Sequence, residues 1–217
     1  MSKIVIFGAG GRAGRRAVSE AVTRGHQVTA VVRKPAKYRH LDGDGVRLVS
    51  GDVTQADSVA VTAAGHDAAI NAAVRLDVPS QEFFTGSAHA LLNGLGRAGA
   101  GRLVLVGIGT TLETAPGIMV HDAPGFPAEG REFSLGHSAE LDVFREADTE
   151  IDWLVLAPPP VVLDDDAART GRYRIGGSQV LPCGDGTASF SYVDLAVALI
   201  DEIETPKHHR TMAAIAA

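Results

Sequence analysis

The chain has 217 residues, 45% of them hydrophobic, and a formal net charge of −6. That is enough apolar material for one sizeable core, while the mild acidity argues against a general nucleic-acid surface. No apolar stretch approaches the roughly 20 residues of a membrane span. No charged leader with a cleavage site precedes the first apolar run, and the one cysteine, Cys183, cannot form an intrachain disulfide, so a cytoplasmic protein is expected.

Taken in order, the first half alternates between strand and helix. Ile4, Val5, Ile6 and Phe7 form a continuous apolar run, as in a strand buried on both faces of a parallel sheet. The spacing predicts strands at Lys3–Phe7, Gln27–Val32, Val46–Ser50, Ala68–Asn71 and Arg102–Val106. Helices are predicted at Ala13–Thr23, Gln55–Ala64 and Gln81–Ala98, the last started near Ser80 or Thr85 and ended by Gly99 and Gly101. This alternation implies an α/β chain, a Rossmann-type doubly wound parallel sheet with helices on both faces. Leu112 to Arg131 holds three prolines and three glycines and reads as a long loop. Helical spacing resumes at Phe133–Ala147, followed by a buried strand at Asp152–Ala157 that Pro158 stops. A short strand pair within Gly171–Val180, a helix over Ser191–Ile203 and a last edge strand at Thr211–Ala216 complete the reading. No internal repeat or linker divides the chain, so a single domain over 1–217 is expected, with loops 112–131 and 158–177 walling a substrate crevice.

Between the first strand and the first helix lies a glycine-rich turn. Gly8, Gly10 and Ala13 fit one dinucleotide-binding register; Gly8, Gly11 and Gly14 fit another. Both place a pyrophosphate against the free N–H groups and positive end of the helix that follows. The end of the second strand selects the cofactor. An acid there would bond the ribose 2′-hydroxyl of NAD; this chain has Arg33 and Lys34, which suit the 2′-phosphate of NADP, with Arg12 adding charge from the turn. NADP (as NADPH) is therefore expected ahead of NAD. Asp52 stands where it either accepts a bond from adenine, with Val53 against the ring, or helps cap the next helix. Asn71, Ala72 and Ala73 end the fourth strand with small residues that let a cofactor lie across the sheet edge.

These segments together resemble the atypical short-chain dehydrogenase/reductase superfamily, and within it the NAD(P)H-binding group of NADH–flavin reductases and biliverdin reductase B. The resemblance is carried by GAGGRAG at 8–14, VVRKP at 31–35, GDV at 51–53, VGIGTTLETAPG at 106–117, DAPGFPAE at 122–129, HSAELDVFR at 137–145, DWLVLAPP at 152–159 and TGRYRIGG at 170–177. It implies a Rossmann fold with cofactor across the carboxyl ends of the strands, Gly109 and Thr110 near it after the fifth strand, and a small C-terminal region closing over the substrate. One departure matters. The superfamily's dehydrogenases use Tyr-x-x-x-Lys, whereas here none of Tyr38, Tyr173 and Tyr192 has a lysine four residues on, and the matching positions are Glu132 and Gly136.

The acid–base candidates that remain are His137, a residue type suited to proton transfer, Thr111, which matches the position of the superfamily's serine, and His121, which with Asp122 sits in the long loop. His89 is expected against the sheet, and Cys183 in LPCGDG is expected to be an exposed spectator. His208 and His209 diverge and lack supporting ligands, so no metal site is expected. The expected activity is NADPH-dependent reduction of a flavin-like, quinone or other conjugated small molecule without a Tyr/Lys pair. The alternatives are an NADP-binding redox sensor without turnover, and an isomerase or dehydratase with bound cofactor. A small-molecule substrate, no nucleic acid and no membrane are expected as partners, and the oligomeric state is open.

Overall fold

The apolar runs of the sequence become the strands of one eight-stranded sheet. The computed structural model describes residues 1–182 and 190–217, so Cys183 lies outside the described residues. Its first half follows the sequence reading closely: β1 (Lys3–Phe7), α1 (Arg12–Thr23), β2 (Gln27–Val32), β3 (Val46–Ser50), α2 (Ala56–Ala63), β4 (Ala68–Asn71), α3 (Ser80–Ala98) and β5 (Arg102–Val106). The second half comprises β6 (Glu113–Ala115), β7 (Ile118–Met119), α4 (Ala128–Glu146), β8 (Asp152–Ala157), β9 (Arg174–Ile175), α5 (Tyr192–Glu204) and β10 (Thr211–Ala216). The sheet order is β3-β2-β1-β4-β5-β8-β10-β9, parallel throughout except for the short β9 against β10.

Alternation along each strand divides the core in two. Val5, Phe7, Leu103, Leu105 and Trp153 face one side with α2, α3 and α4; Ile4, Ile6, Val104, Leu154 and Leu156 face the other with α1 and α5. Because both sheet faces are covered, the strands read as unbroken apolar runs. The sheet order reverses between β2 and β4 around β1, and in open α/β sheets ligands bind beyond the strand ends at that point.

The structure corrects four expectations. Helix α4 begins at Ala128, inside the stretch read as a loop. Pro127 sits at its N-cap, where a missing N–H costs nothing, so the proline starts the helix instead of breaking it. Strand β10 is not an edge: it lies between β8 and β9. The strand expected within Gly171–Val180 pairs with β10 instead of with itself. His89 faces solvent on α3.

Ion pairs tie the chain's distant parts together. Buried Arg102 on β5 reaches Glu202 Oε2 on α5 at 3.0 Å and Asp152 Oδ2 on β8 at 2.8 Å, and donates to the His208 carbonyl at 3.0 Å. On α1, Glu20 accepts from Arg24 (2.8 Å) and from both sides of the Arg169 fork (2.7 and 3.0 Å). Arg169 first, then Arg24, holds the Glu20 carboxyl below its ordinary value of 4.5, against the opposing effect of burial. A carboxyl whose folded pKa is depressed contributes stability that is present above the unfolded pKa and is lost as pH falls through the folded one. The difference in urea unfolding free energy between the parent and Glu20→Gln is therefore expected to be largest near neutrality and to shrink as pH drops below 4.5. A difference that stays constant with pH would show that folding leaves the Glu20 pKa unshifted.

Candidate functional site

The residues beyond the carboxyl ends of β1, β2, β3 and β4 enclose a cleft of about 340 Å³. Its floor is the glycine turn. Gly8 has φ +72°, and a Cβ there would stand 2.5 Å from the backbone nitrogen and Cα of Ala73. Only glycine permits both the left-handed backbone and the contact. Gly14 does a second job: a Cβ on it would lie 2.1 Å from the Gly8 carbonyl oxygen, so α1 packs directly onto the turn. Helix α1 opens at Gly11 with no side-chain cap and no acid in its first turn. Its unpaired N–H groups and positive dipole end are thus available to an anion lying on the turn.

The sequence expected one site from scattered residues. Gly8, Gly10, Gly11, Arg33, Lys34, Asp52, Val53, Ala72 and Ala73 all line this cleft. Ala13 and Gly14 lie behind it in α1, and buried Asn71 shapes its wall by accepting from the Ala73 N–H at 3.2 Å. Arg12 turns away, with its guanidinium 5.3 Å from the centroid of the Tyr192 ring. Asp52 does not cap α2, whose N-cap is Gln55; its Oδ1 accepts from the Thr54 N–H (2.9 Å) and hydroxyl (2.7 Å). That bond pattern fixes the turn that carries Val53 into the cleft.

Among the lining residues that the sequence reading did not assign to the site are Lys37, Tyr38, Arg75, Asp77 and Phe83. Pro35, which opens the short 3-10 turn Pro35–Lys37, was the available signal for Lys37, since the turn carries the chain back beside Arg33. Counting charges, Arg33, Lys34, Lys37 and Arg75 face Asp52 and Asp77, a surplus of positive charge within a chain of net −6. Arg75 grips Asp77 through two bonds of 3.0 and 2.8 Å, and it holds that carboxyl down at about 2, so this pair is ionised and mutually satisfied. Among the described residues, Arg33, Lys34 and Lys37 make no ion pair. All three are exposed at the end of β2.

The acid–base candidates lie on the other half of the sheet edge. Gly109 and Thr110 belong to a 3-10 turn after β5, with Gly109 packed under Pro158–Pro160: a Cβ there would stand 2.3 Å from the Pro160 nitrogen. The Thr110 hydroxyl meets Ser134 Oγ at 2.7 Å. Buried Thr111 donates its hydroxyl to the Ile108 carbonyl at 2.8 Å. His121 is buried and donates Nδ1–H to the Thr110 carbonyl at 2.8 Å, while its Nε2 stands 3.9 Å from Asp122 Oδ1. His137 lies within α4; its ring packs on that of Phe84, tilted by 37° with centroids 3.8 Å apart, and Nδ1 is 3.3 Å from Glu140 Oε2. At Gly136, where the superfamily has its lysine, a Cβ would stand 2.2 Å from Ser80 Oγ at the start of α3. Helix α4 is packed too tightly on α3 there for any side chain.

The packing of α1 on the turn has a direct test. Gly14→Ala places a methyl against backbone atoms that cannot swing aside. The variant is expected to lose about 1–3 kcal/mol of stability by overpacking, read as a lowered thermal midpoint, and to bind nicotinamide dinucleotide more weakly than the parent at a temperature where both are folded. Unchanged stability and binding would show that the turn can relax away from α1.

The comparisons with known proteins agree with this geometry. Residues 8–206 match the NAD(P)H-binding family. The protein YwnB of Bacillus subtilis (strain 168) is 34% identical over 209 residues, covering 95% of this chain and 94% of that one. Among solved structures, a Burkholderia pseudomallei protein named only as exported superposes with TM-score 0.86 at 33% identity, covering the whole of both chains. A Streptococcus pneumoniae TIGR4 protein named as an NADH–flavin reductase superposes with TM-score 0.83 at 25% identity, covering 100% of this chain and 99% of that one. With a Rossmann-type sheet, a glycine turn at its switch point and a match over nearly its full length, the chain belongs to the NAD(P)H-binding family, in the group that resembles the atypical short-chain reductases.

Proposed function

We propose that the protein is an NADPH-dependent oxidoreductase acting on a flavin-like, quinone or other conjugated small molecule. The observation that carries the cofactor choice is the end of β2, where Arg33, Lys34 and Lys37 line the cleft and no acid stands at the ribose position. A guanidinium and two ammonium groups can hold a 2′-phosphate through charge-assisted bonds. The glycine turn and the uncapped N-terminus of α1 would hold the pyrophosphate, with Val53 and the small residues Ala72 and Ala73 leaving room for the flat parts of the cofactor. Support for the reaction class comes from the family and from the Streptococcus pneumoniae relative's name, which specifies flavin reduction but with NADH. The basic strand end distinguishes the cofactor reading for this chain from that name.

Bound NADPH supplies a hydride. The chain's own task is to hold donor and acceptor rings in register and to keep them dry, which suits an electron-poor acceptor whose proton can come from solvent. Among the three acid–base candidates, His121 is the group we propose for any proton transfer, because its Nε2 is engaged in no hydrogen bond and lies 3.9 Å from the Asp122 carboxylate, while the Thr111 hydroxyl is engaged with a carbonyl and His137 is packed in an aromatic cluster. The wall of the substrate side is one connected piece. The Glu113 N–H donates to the Ser178 carbonyl and the Val180 N–H to the Glu113 carbonyl, each at 2.9 Å, so the segments after β5 and β8 are joined. Among the described residues no helix is long and apolar enough to cross a membrane. We place the activity in the cytoplasm, as the single-cysteine sequence suggested, although one relative is named as exported.

Two measurements test the reading. Arg33→Asp is expected to weaken NADPH binding by roughly 10- to 100-fold, the worth of a charge-assisted pair, with NADH affected far less; equal losses for both would remove the NADP assignment. Mixing the protein with NADPH and a panel of flavins and quinones should give loss of the reduced cofactor's absorbance with at least one acceptor. Tight NADPH binding with no oxidation across the panel would replace the enzyme reading by that of a redox sensor.

A further inference from the structure

The segment that supplies the basic groups of the cleft is poorly anchored by its own backbone. Between β2 and β3, residues 35–41 form two single-turn 3-10 helices, Pro35–Lys37 and Arg39–Leu41, closed by bonds such as Lys37 N–H to the Lys34 carbonyl (3.0 Å) and Leu41 N–H to the Tyr38 carbonyl (2.9 Å). These bonds are local. They shape the segment without attaching it to the sheet or to α1. Ala36, Lys37, Arg39 and His40 are exposed; only Pro35, Tyr38 and Leu41 are half-buried, and of these Tyr38 and Leu41 pack on the core. Something must hold Lys37 and its neighbours against the cleft, because fixing an exposed turn in one place costs conformational entropy that only packing can offset.

Tyr38 has the contact to do it. Its ring lies on the glycine turn: a Cβ built on Gly10 would stand 2.4 Å from Tyr38 Cε1, 2.6 Å from Cζ and 2.7 Å from Cδ1. The usual account of a glycine at this place is that it lets the backbone approach a pyrophosphate. Here the space over its Cα is filled by a side chain of the same chain. Gly8 and Gly14, by contrast, meet only backbone.

We propose that Tyr38 is a positioning residue for the cofactor, that Gly10 is glycine because it seats the Tyr38 ring, and that this contact fastens the basic segment carrying Lys37 to the pyrophosphate turn. The inference rests on the NADPH reading above and adds to it a means of coupling. The turn that holds the pyrophosphate and the segment that holds the 2′-phosphate become one unit, so that loss of the ring loosens the grip on the 2′-phosphate ahead of the grip on the rest of the cofactor. The hydroxyl takes no part; the flat ring face is what fits against a residue without a side chain.

A double-mutant cycle decides the matter. The full-length parent, Gly10→Ala, Tyr38→Ala, the double variant and Tyr38→Phe are titrated calorimetrically with NADPH and with NADH, with Arg33→Asp alongside. Each single alanine variant is expected to weaken NADPH binding about tenfold and NADH binding less, and the double variant to bind no more weakly than the singles, since residues that act through one contact are not additive. Tyr38→Phe is expected to match the parent. Losses that multiply in the double variant would show that a side chain at position 10 meets the ligand and not the ring, and would overturn the proposal. Equal losses of NADPH and NADH in Tyr38→Ala, or a loss in Tyr38→Phe as large as in Tyr38→Ala, would overturn it too. If Arg33→Asp loses NADPH selectively while Tyr38→Ala does not, the positioning role falls and the cofactor reading stands; if Arg33→Asp loses both cofactors equally, the cofactor reading itself falls and the proposal with it. Should Gly10→Ala fail to give a cooperative thermal melt, the NADPH-to-NADH ratio in Tyr38→Ala and Tyr38→Phe decides alone.

Discussion

The cleft depends on three stretches of backbone lying in direct contact. Gly8 touches the chain at Ala73, and Gly14 brings α1 onto the Gly8 carbonyl, with no side chain between any of them. That contact fixes the distance between β1, β4 and the first turn of α1, and so fixes where the helix's free N–H groups point. It also explains why small residues follow β4. Ala72 and Ala73 leave the turn its space, and the Asn71 side chain bonds the Ala73 N–H to hold the bend in that shape. Were the turn further from β4, the cleft would open toward solvent and the strand ends would no longer share one floor.

Elsewhere a surface segment is held by charge instead of by close packing. The segment after β8 is fastened to α1 by Arg15 and Arg16 on Asp165 and by Arg169 on Glu20. It is fastened to α5 by Asp194, which accepts from the Thr170 and Gly171 N–H groups at 3.0 and 2.8 Å, and by the Tyr173 hydroxyl on Asp201. Exposed ion pairs singly contribute little. As a set spread along residues 165–173 they do something that a core cannot, which is to fix a surface segment with few apolar residues to bury. The result is a turn built rigidly on glycine and apolar strands, and a separate surface segment whose position depends on its contacts with carboxylates.

How much of this was legible in the sequence differs between parts of the chain. The strands β1 to β5 and helices α1 to α3 could be read because burial on both sheet faces forces unbroken apolar runs, and because Gly99 ends α3 in the left-handed conformation that favours glycine. The first turns of α4 could not, because Pro127 and Gly130 read as breakers when each is in fact placed where it does no harm: the proline at the N-cap, the glycine with its bare face against the Phe126 ring. The candidate cofactor residues on the strand ends were legible through their motif. Tyr38 and Lys37 were not, since their contribution comes from a tertiary contact between a loop and a turn some thirty residues earlier, and no periodicity records such a contact. His137 shows the converse: its residue type drew attention, while its surroundings, Phe84, Phe133 and Glu140, are those of a packed helix face.

The empty position at Gly136 bears on what kind of chemistry the fold can host. A lysine there would need α4 to stand off from α3, yet Ser80 Oγ and backbone occupy the space, and the same Ser80 hydroxyl donates to the Phe133 carbonyl at 3.2 Å. The Tyr/Lys pair could therefore not be supplied by exchanging two side chains alone; the helix–helix contact at Gly136 excludes a lysine there. A ketone taking up hydride develops charge on its oxygen and needs an acid held beside that atom. A conjugated ring spreads the charge over several atoms and can collect its proton later from solvent. A site without the Tyr/Lys pair but with a tightly built dinucleotide cleft has what the second kind of acceptor requires, and this is the physical ground on which the proposed substrate class rests.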